Sequence, residues 1–266
     1  MTTRESQFGS KRSNAVSELH PPKVSVVTVS LNCREQMSRT LESVIKQTYA
    51  NLEYIVIDGG SQDGTLGVID QHRDRIDHLT AEPDNGVYDA MNKGLKAAAE
   101  DSQYITFLNA GDTFVSNTTV ADTVSRASCD SQHLYGNVVT PSGRQSHPSR
   151  LSYFYLATNA ICHQAIFFHT RKHKAHPYDL RYRIAADFDM VIRLLRKGHS
   201  FQMIDCDIAC FEGDGLSSLQ RERLHEEKRQ IMRRVPALYL CRLAKRAARQ
   251  CRDINRIGSK KSLFAP

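Results

Sequence analysis

The chain has 266 residues, 40% of them hydrophobic, enough to bury a sizeable core and too many for a small disulfide-stapled module. Its seven cysteines (33, 129, 162, 206, 210, 241, 251) include no Cys-x-x-Cys pair, residues 1 to 20 lack an apolar signal core, and no run of about 18 apolar residues occurs. Reduced thiols in a cytoplasmic protein that is neither secreted nor membrane-spanning are therefore expected. Of the net charge of +7, residues 219 to 266 hold +10 (14 Lys/Arg against 4 Asp/Glu), leaving −3 for residues 1 to 218; basic charge confined to a tail argues against a nucleic-acid enzyme and for a body with a basic attachment segment.

Residues 1 to 20 are expected to be disordered, and His20-Pro21-Pro22 to lead stiffly into a first strand, Lys23 to Ser30 (KVSVVTVS). That segment is β-branched and mostly apolar, as a strand inside a parallel sheet must be. Leu31-Asn32-Cys33 forms the loop at its C-terminal end, and Met37, Leu41, Val44 and Ile45 then share one face of a helix over Arg34 to Gln47. Tyr54 to Ile57 is a second buried strand, running into Asp58-Gly59-Gly60-Ser61-Gln62-Asp63-Gly64-Thr65. Three glycines and two aspartates straight after a strand make a tight loop able to hold a nucleotide base or ribose. The plain alternative is a turn bent at Asp63-Gly64; the position of Asp58 at the strand end favours the ligand reading.

Leu66 to Arg75 reads as a helix. Asp84-Asn85-Gly86 bends the chain into another, which runs to Ala99 and carries Asp89, Asn92 and Lys93 on one polar face. A lysine there would offset the charge of a diphosphate. Tyr104 to Leu108 is the next buried strand, and it stops at Asn109-Ala110-Gly111-Asp112. Asp112 then sits at a strand's C-terminal edge, where an Asp/Asn turn can offer hard oxygen ligands to a divalent cation bridging phosphates; a solvated turn is the alternative.

Val120 to Ala127 suggests a helix, His133 to Val139 a strand, and Pro141 to Arg150 a polar connection. Ala160 to His169 reads as a core strand interrupted by His163 and Gln164, which are either a satisfied buried pair or a wall of the acceptor site. The His169, His173, His176 spacing invites zinc, but Arg171, Lys172 and Lys174 lie between the histidines and disfavour a cation. Arg183 to Leu195 is a strong amphipathic helix, with Asp187 and Asp189 near its start as dipole partners or as a general base. Ser200 to Ile208 is a final strand, and Glu212 to Ser218 a glycine-hinged loop able to close over a donor. Beyond it Leu224, Ile231, Val235, Leu238, Leu243, Ala247, Cys251 and Ile254 recur at loosely helical spacing among basic residues. They mark either a helix lying on an anionic membrane surface or one docked on its own domain.

From Lys23 to Ser218 the sequence resembles family-two inverting glycosyltransferases of the GT-A fold, most closely bacterial exopolysaccharide enzymes of the colanic-acid type. VSVVTVSLN, YIVIDGGSQDGT, EPDNGVYDAMNKG and FLNAGD are similar to the family's first strand, nucleotide loop, second donor motif and metal motif; HQAIFF, YDLRYRIAADFDMVIRL and GLSS resemble its acceptor half. The resemblance implies an α/β body over residues 21 to 218, with a Rossmann-like, mostly parallel sheet flanked by helices and a basic helical tail over 219 to 266. It implies that Asp58 contacts the base or ribose while Asp63 shapes that loop, that Ser30, Asn32, Asp89, Asn92, Lys93 and Asn109 belong to the donor side, that Asp112 ligates Mg²⁺ or Mn²⁺, and that Asp187 is the base. Asn109 and Gly111 stand where many relatives have aspartates, and Ala186 where many have a glutamate.

The implied partners are a nucleoside-diphosphate sugar, a glycan or lipid-linked acceptor and, through the tail, the inner face of the cell membrane, with no nucleic acid. An inverting transfer needs a base on the acceptor side and charge neutralisation behind the leaving diphosphate, and no covalent nucleophile. Among the alternatives, a sugar-nucleotidyltransferase would need a glycine-rich basic loop after the first strand, and a dinucleotide oxidoreductase a G-x-G-x-x-G; neither is present. A scaffold that binds sugar nucleotide without turnover is the non-enzymatic alternative.

Overall fold

The computed structural model describes residues 21–211 and 220–262, with side chains as far as Arg249. The expectations for residues 1 to 20 and for the loop Glu212 to Ser218 lie outside the described residues. Strand β1 (Lys23–Ser30) has seven of its eight residues buried, which its β-branched run requires. It pairs in parallel with β2 (Leu52–Asp58) on one side and β4 (Ser102–Phe107) on the other, and β3 (His78–Ala81) continues the parallel run beyond β2. Beyond β4 the sheet takes in β8 (Ile166–His169), antiparallel to it, then β6 (His133–Thr140), then β9 (Phe201–Cys210), parallel to β6, with β5 (Thr113–Phe114) at the edge. A short β7 (Gly143–Gln145) folds back on β6.

The alternation along each strand sorts the core into two layers. Val24, Val26, Tyr54 and Val56 pack towards α1 (Arg34–Ile45), α2 (Thr65–Asp70) and α4 (Thr119–Ser125). Val27, Val29, Ile55 and Ile57 face α3 (Val87–Ala97) and α7 (Ala186–Arg196). Helix α3 lies very close to the sheet: a Cβ on Gly94 would stand 2.3 Å from Cγ1 of Val27, so only glycine admits this approach. Short helices α5 (Tyr153–Leu156) and α6 (Thr170–Lys174) flank β8 in the chain. The six described cysteines are all free thiols.

Two elements differ from the sequence reading. The run Ala160 to His169 is a strand only from Ile166; His163–Ala165 is a 3-10 turn, because the two polar side chains bond to neighbouring loops instead of facing a sheet partner. The helix expected over Leu66 to Arg75 ends at Asp70, and a 3-10 turn at Arg73–Arg75 leads to β3, a four-residue edge strand too short and too polar to show a period. The tail follows, over its first part, the docked alternative that the sequence left open. Helix α8 (Arg221–Arg233) and the first turn of α9 (Pro236–Ser262) bury Ile231, Met232, Val235 and Leu238 in the layer that holds α7. Each such side chain contributes about 1.5–3 kcal/mol. Residues 231 to 238 of the tail thus pack on the body.

Several histidines are buried neutral around β8. Burial, aided by the charges of His173, His199, Lys172 and His169, lowers His133 to about 2. Burial also lowers His173 to about 4 where it packs between Phe107, Phe168 and Tyr178. Both folded-state values lie below the unfolded value of roughly 6.5, so the stability from these groups is complete above that pH and is lost as pH falls towards the folded values, at about 1.4 kcal/mol per pH unit per histidine. Urea unfolding should accordingly show a loss of about 2 kcal/mol per histidine between pH 6.5 and 5, and His173→Phe, which keeps the aromatic packing, should remove one such share. A pH-independent stability across that window would contradict the assignment.

Candidate active site

Three loops meet at the C-terminal edge of the parallel strands. The Asp58 carboxylate, 0% exposed, accepts from the amides of Gly60 and Ser61 on Oδ1 (3.0 and 2.7 Å) and from the hydroxyls of Ser30 and Ser61 on Oδ2 (2.8 and 2.7 Å). A carboxylate with four donors and no exposure organises its loop. Its four bonds are all made within the βα loops that a ligand at this edge would meet. Asn32 ties the two βα loops together: it sits in the left-handed region (φ 48°), its Oδ1 accepts from the Gln62 amide, and its own amide donates to Ser61 Oγ. Asp63 accepts from the hydroxyl and amide of Thr65 and from the Arg34 amide, bonds that hold its carboxyl below the usual range and fix the starts of α1 and α2.

The polar face of α3 braces the adjoining loop. Asp89 Oδ2 accepts from the Asn85 amide at 3.0 Å. The Asn92 amide clamps both main-chain polar groups of Tyr178 (3.0 and 2.9 Å). Lys93, expected beside a diphosphate, places its Nζ 2.8 Å from Glu82 Oε1 and 3.0 Å from the Pro83 carbonyl. Gly59 joins this loop to the first one, since a Cβ there would lie 2.4 Å from Asp84 Oδ2.

The acids themselves are joined by the 3-10 turn that the sequence disguised as strand. Gln164 Nε2 donates to Asp112 Oδ2 at 2.8 Å, while the neighbouring His163 directs its two nitrogens to Asn109 Nδ2 (3.1 Å) and to Asp187 Oδ2 (3.5 Å). Because the Asn109 amide nitrogen donates, Nε2 of His163 accepts, and its proton sits on Nδ1, towards Asp187. Thr40 of α1 secures the turn at Asn109 to Asp112, accepting from the Gly111 amide and donating to the Asp112 carbonyl. Asp187 opens α7, its Oδ1 taking the Phe188 amide at 2.7 Å. Burial pushes its carboxyl up, but the His163 contact, the Lys228 charge and the Phe188 amide outweigh it and hold Asp187 below its ordinary value.

Lys228, from α8, reaches this corner with Nζ 5.2 Å over the Phe188 ring. The Cys162 thiol is pushed up to about 12, chiefly by burial and then by the charges of Asp187 and Asp112, so both carboxylates act on one group. Asp189 takes no part. Its Oδ2 pairs with Arg193 at 2.6 Å, which leaves Asp187 as the acid of α7 facing the turn.

Ser30, Asn32, Asp58 and Asp63 thus form one network and Asn109, Asp112 and Asp187 another, with Asp89, Asn92 and Lys93 supporting the loop alongside. Sequence reasoning missed Thr40, Tyr88, whose charge coupling includes Asp187, and Lys228. A polar pair inside an apolar run was the one signal for His163 and Gln164. Asn109 Oδ1 is buried without a protein partner on the turn that carries Asp112. A hard cation completed by phosphate and water oxygens fits such a donor set, although no group of three His, Cys, Asp or Glu gathers among the described residues.

Comparison with known proteins gives this arrangement a context. The family model for glycosyl transferase family 2 matches residues 25–187. A PGL/p-HBAD biosynthesis glycosyltransferase of Mycobacterium tuberculosis (strain H37Ra) is 33% identical over 187 residues, covering 65% of this chain and 69% of that protein. The Escherichia coli UDP-Glc:alpha-D-GlcNAc-diphosphoundecaprenol beta-1,3-glucosyltransferase WfgD is 27% identical over 216 residues, covering 78% and 83%. Among solved structures, the mannosyltransferase PcManGT from Pyrobaculum calidifontis, in complex with GDP-Man and Mn²⁺, superposes with a TM-score of 0.61 at 16% identity, covering 93% of this chain and 82% of that one.

The His163 contact has a direct consequence for Asp187. In His163→Phe, the Asp187 carboxyl should titrate at higher pH than in wild type when followed by carboxyl ¹³C NMR, because the largest lowering influence is gone. An unchanged titration would show that the pairing does not act on Asp187.

Proposed function

The chain belongs to glycosyl transferase family 2 and has the GT-A fold, and from that premise we propose that it is an inverting transferase. It moves a hexosyl or deoxyhexosyl unit from a nucleoside-diphosphate sugar to a glycan or lipid-linked acceptor in the assembly of a bacterial exopolysaccharide. The observation that carries the reading is the turn whose adjacent residues hold Asp112 on one side and Asp187 on the other. Displacement with inversion needs two charged functions across one cleft, and this turn fixes their separation.

In the reaction, the acceptor oxygen bonds to the anomeric carbon as the carbon–oxygen bond to the diphosphate breaks, and the acceptor proton passes to Asp187. That carboxylate, held below its ordinary value, is charged at neutral pH and enters as the base. His163 keeps Oδ2 oriented and the Phe188 amide fixes Oδ1. The loops built on Asp58, Asn32 and Asp63 present backbone to the nucleotide, with Ser30 and Ser61 spent on their shape. A Mg²⁺ or Mn²⁺ held by Asp112, with Asn109 Oδ1 beside it, would offset the charge of the leaving diphosphate when bound. The named acceptor of WfgD, a diphosphoundecaprenol-linked sugar, supports a lipid-linked acceptor, and the complex of PcManGT with GDP-Man and Mn²⁺ supports both a nucleotide-sugar donor and a manganese ion.

Nucleotide release from UDP-glucose, UDP-N-acetylglucosamine and GDP-mannose with Mn²⁺ tests the catalytic part. Asp187→Asn should lose at least roughly a hundredfold in turnover while the donor still raises the melting temperature. Turnover equal to wild type would remove Asp187 from the base role, and donor binding without turnover in wild type would favour a non-catalytic scaffold.

The reading extends to the membrane. No helix among the described residues is long and apolar enough to cross one. On α9, however, Tyr239, Leu240 and Leu243 are exposed at 42, 63 and 43%, beside the basic Arg242, Lys245, Arg246 and Arg249, and Lys245 caps the exposed ring of Phe154 at 4.3 Å. Apolar and cationic groups together suit peripheral binding at the inner, anionic membrane face, near a lipid-linked acceptor. Replacing Leu240 and Leu243 by Glu should weaken binding to phosphatidylglycerol-containing vesicles by roughly tenfold or more with thermal stability unchanged; undiminished binding would exclude this face as the contact.

A further inference from the structure

Helix α7 begins without a side-chain cap of its own. Its N-cap residue is Ala185, which has no side-chain acceptor, so the amides of the segment leading into the helix need a partner from elsewhere. That partner is Glu227 of α8. Its Oε1 accepts from the Arg183 amide at 3.0 Å, and its Oε2 accepts from the amides of Ile184 and Ala185 at 2.9 and 3.0 Å. The carboxylate is 5% exposed and takes a fourth bond from Arg223 Nε at 3.0 Å. On the opposite side of the same backbone, Tyr88 donates its hydroxyl to the Ile184 carbonyl at 2.9 Å. Residues 183 to 185 are therefore gripped from both directions, and Asp187 follows two residues later.

We infer that Glu227 is a positioning residue for the transfer reaction: its carboxylate, bonded to three consecutive amides, sets where the first turn of α7 starts and so where the Asp187 oxygens stand relative to His163. The inference rests on Asp187 being the base. Burial alone would make a glutamate here costly, and four donors converging on it are what allow it to stay charged. A helix packed only for stability could use an apolar side chain at this point. The carboxylate instead gives a fixed attachment to the strip of backbone that carries the base. Phe188, next to the base, meets Lys228, the residue after Glu227, so α8 touches this turn twice.

The test uses the full-length protein and the sugar nucleotide that wild type turns over fastest in the release assay. Glu227→Gln keeps the size of the side chain but sets an amide nitrogen against a backbone N–H. Turnover should fall by roughly ten- to a hundredfold, while UDP or GDP binding by calorimetry stays within about twofold of wild type, because the bonds that shape the nucleotide loops at Asp58, Asn32 and Asp63 come from residues outside α8. Met232→Ala, which weakens the packing of α8 without touching Glu227, should lose stability and keep its turnover. Wild-type turnover in Glu227→Gln, or a loss of turnover in Met232→Ala as large as in Glu227→Gln, overturns the inference. If Glu227→Gln does not fold, Arg223→Met gives the decision: it frees the exposed side of the carboxylate, and turnover should fall by roughly two- to fivefold at unchanged nucleotide affinity, an unchanged rate counting against the role. Failure of the base assignment itself is separately visible, since Asp187→Asn would then remain active whatever Glu227 does.

Discussion

Two adjacent side chains, His163 and Gln164, hold the site together across the sheet. Asp112 ends a turn after the last of the parallel strands, and Asp187 opens a helix some 75 residues later, on the other core layer. The 3-10 turn between them gives one bond to the first acid and faces the second, and its own position is set by β8, antiparallel between β4 and β6. Reversing one strand in an otherwise largely parallel sheet brings the start of β8, and with it the turn, to the edge where the other strands end. The topology thereby becomes chemistry.

Charge is distributed to match. The body is net negative, and the described acids near the site are each stabilised by donors or cations close by: Asp58 by backbone and hydroxyls, Asp187 by His163, an amide and the Lys228 charge, Glu227 by three amides and an arginine. The excess of positive charge comes from the last fifth of the chain. Lys228 and Arg223 point inwards to carboxylates, Arg242 and Lys245 reach back to Met232 and Phe154, and Arg246 and Arg249 are exposed on α9. One basic segment serves two purposes because its helices are amphipathic in two senses, one face apolar and anchored, the other charged.

The parallel half was legible because β1, β2 and β4 are buried on both faces and their apolar runs end sharply in Asp, Asn and Gly; few other structures fit that pattern. Helix α7 was legible for the same reason at a different period. What resisted reading was non-local. His163 and Gln164 look like flaws in a strand until one knows that Asn109, Asp112 and Asp187 stand opposite them. The tail reads as basic because its many exposed charges outnumber four buried apolar anchors, and Glu227 is indistinguishable in sequence from Glu226 beside it, which is solvated. Asp58 shows the opposite case. Its place at the strand end was evident, but the number of donors satisfying it was not.

The attachment of Glu227 to residues 183–185 also has a meaning in time. During synthesis the nucleotide loops, the turn at 163–165 and Asp187 all leave the ribosome before residue 227 does, and chains fold as they emerge. For that interval the amides entering α7 lack their carboxylate, and the polypeptide has every acid of the site without the strut that sets one of them. The strut thus joins the acids only after the segments that carry them have been made.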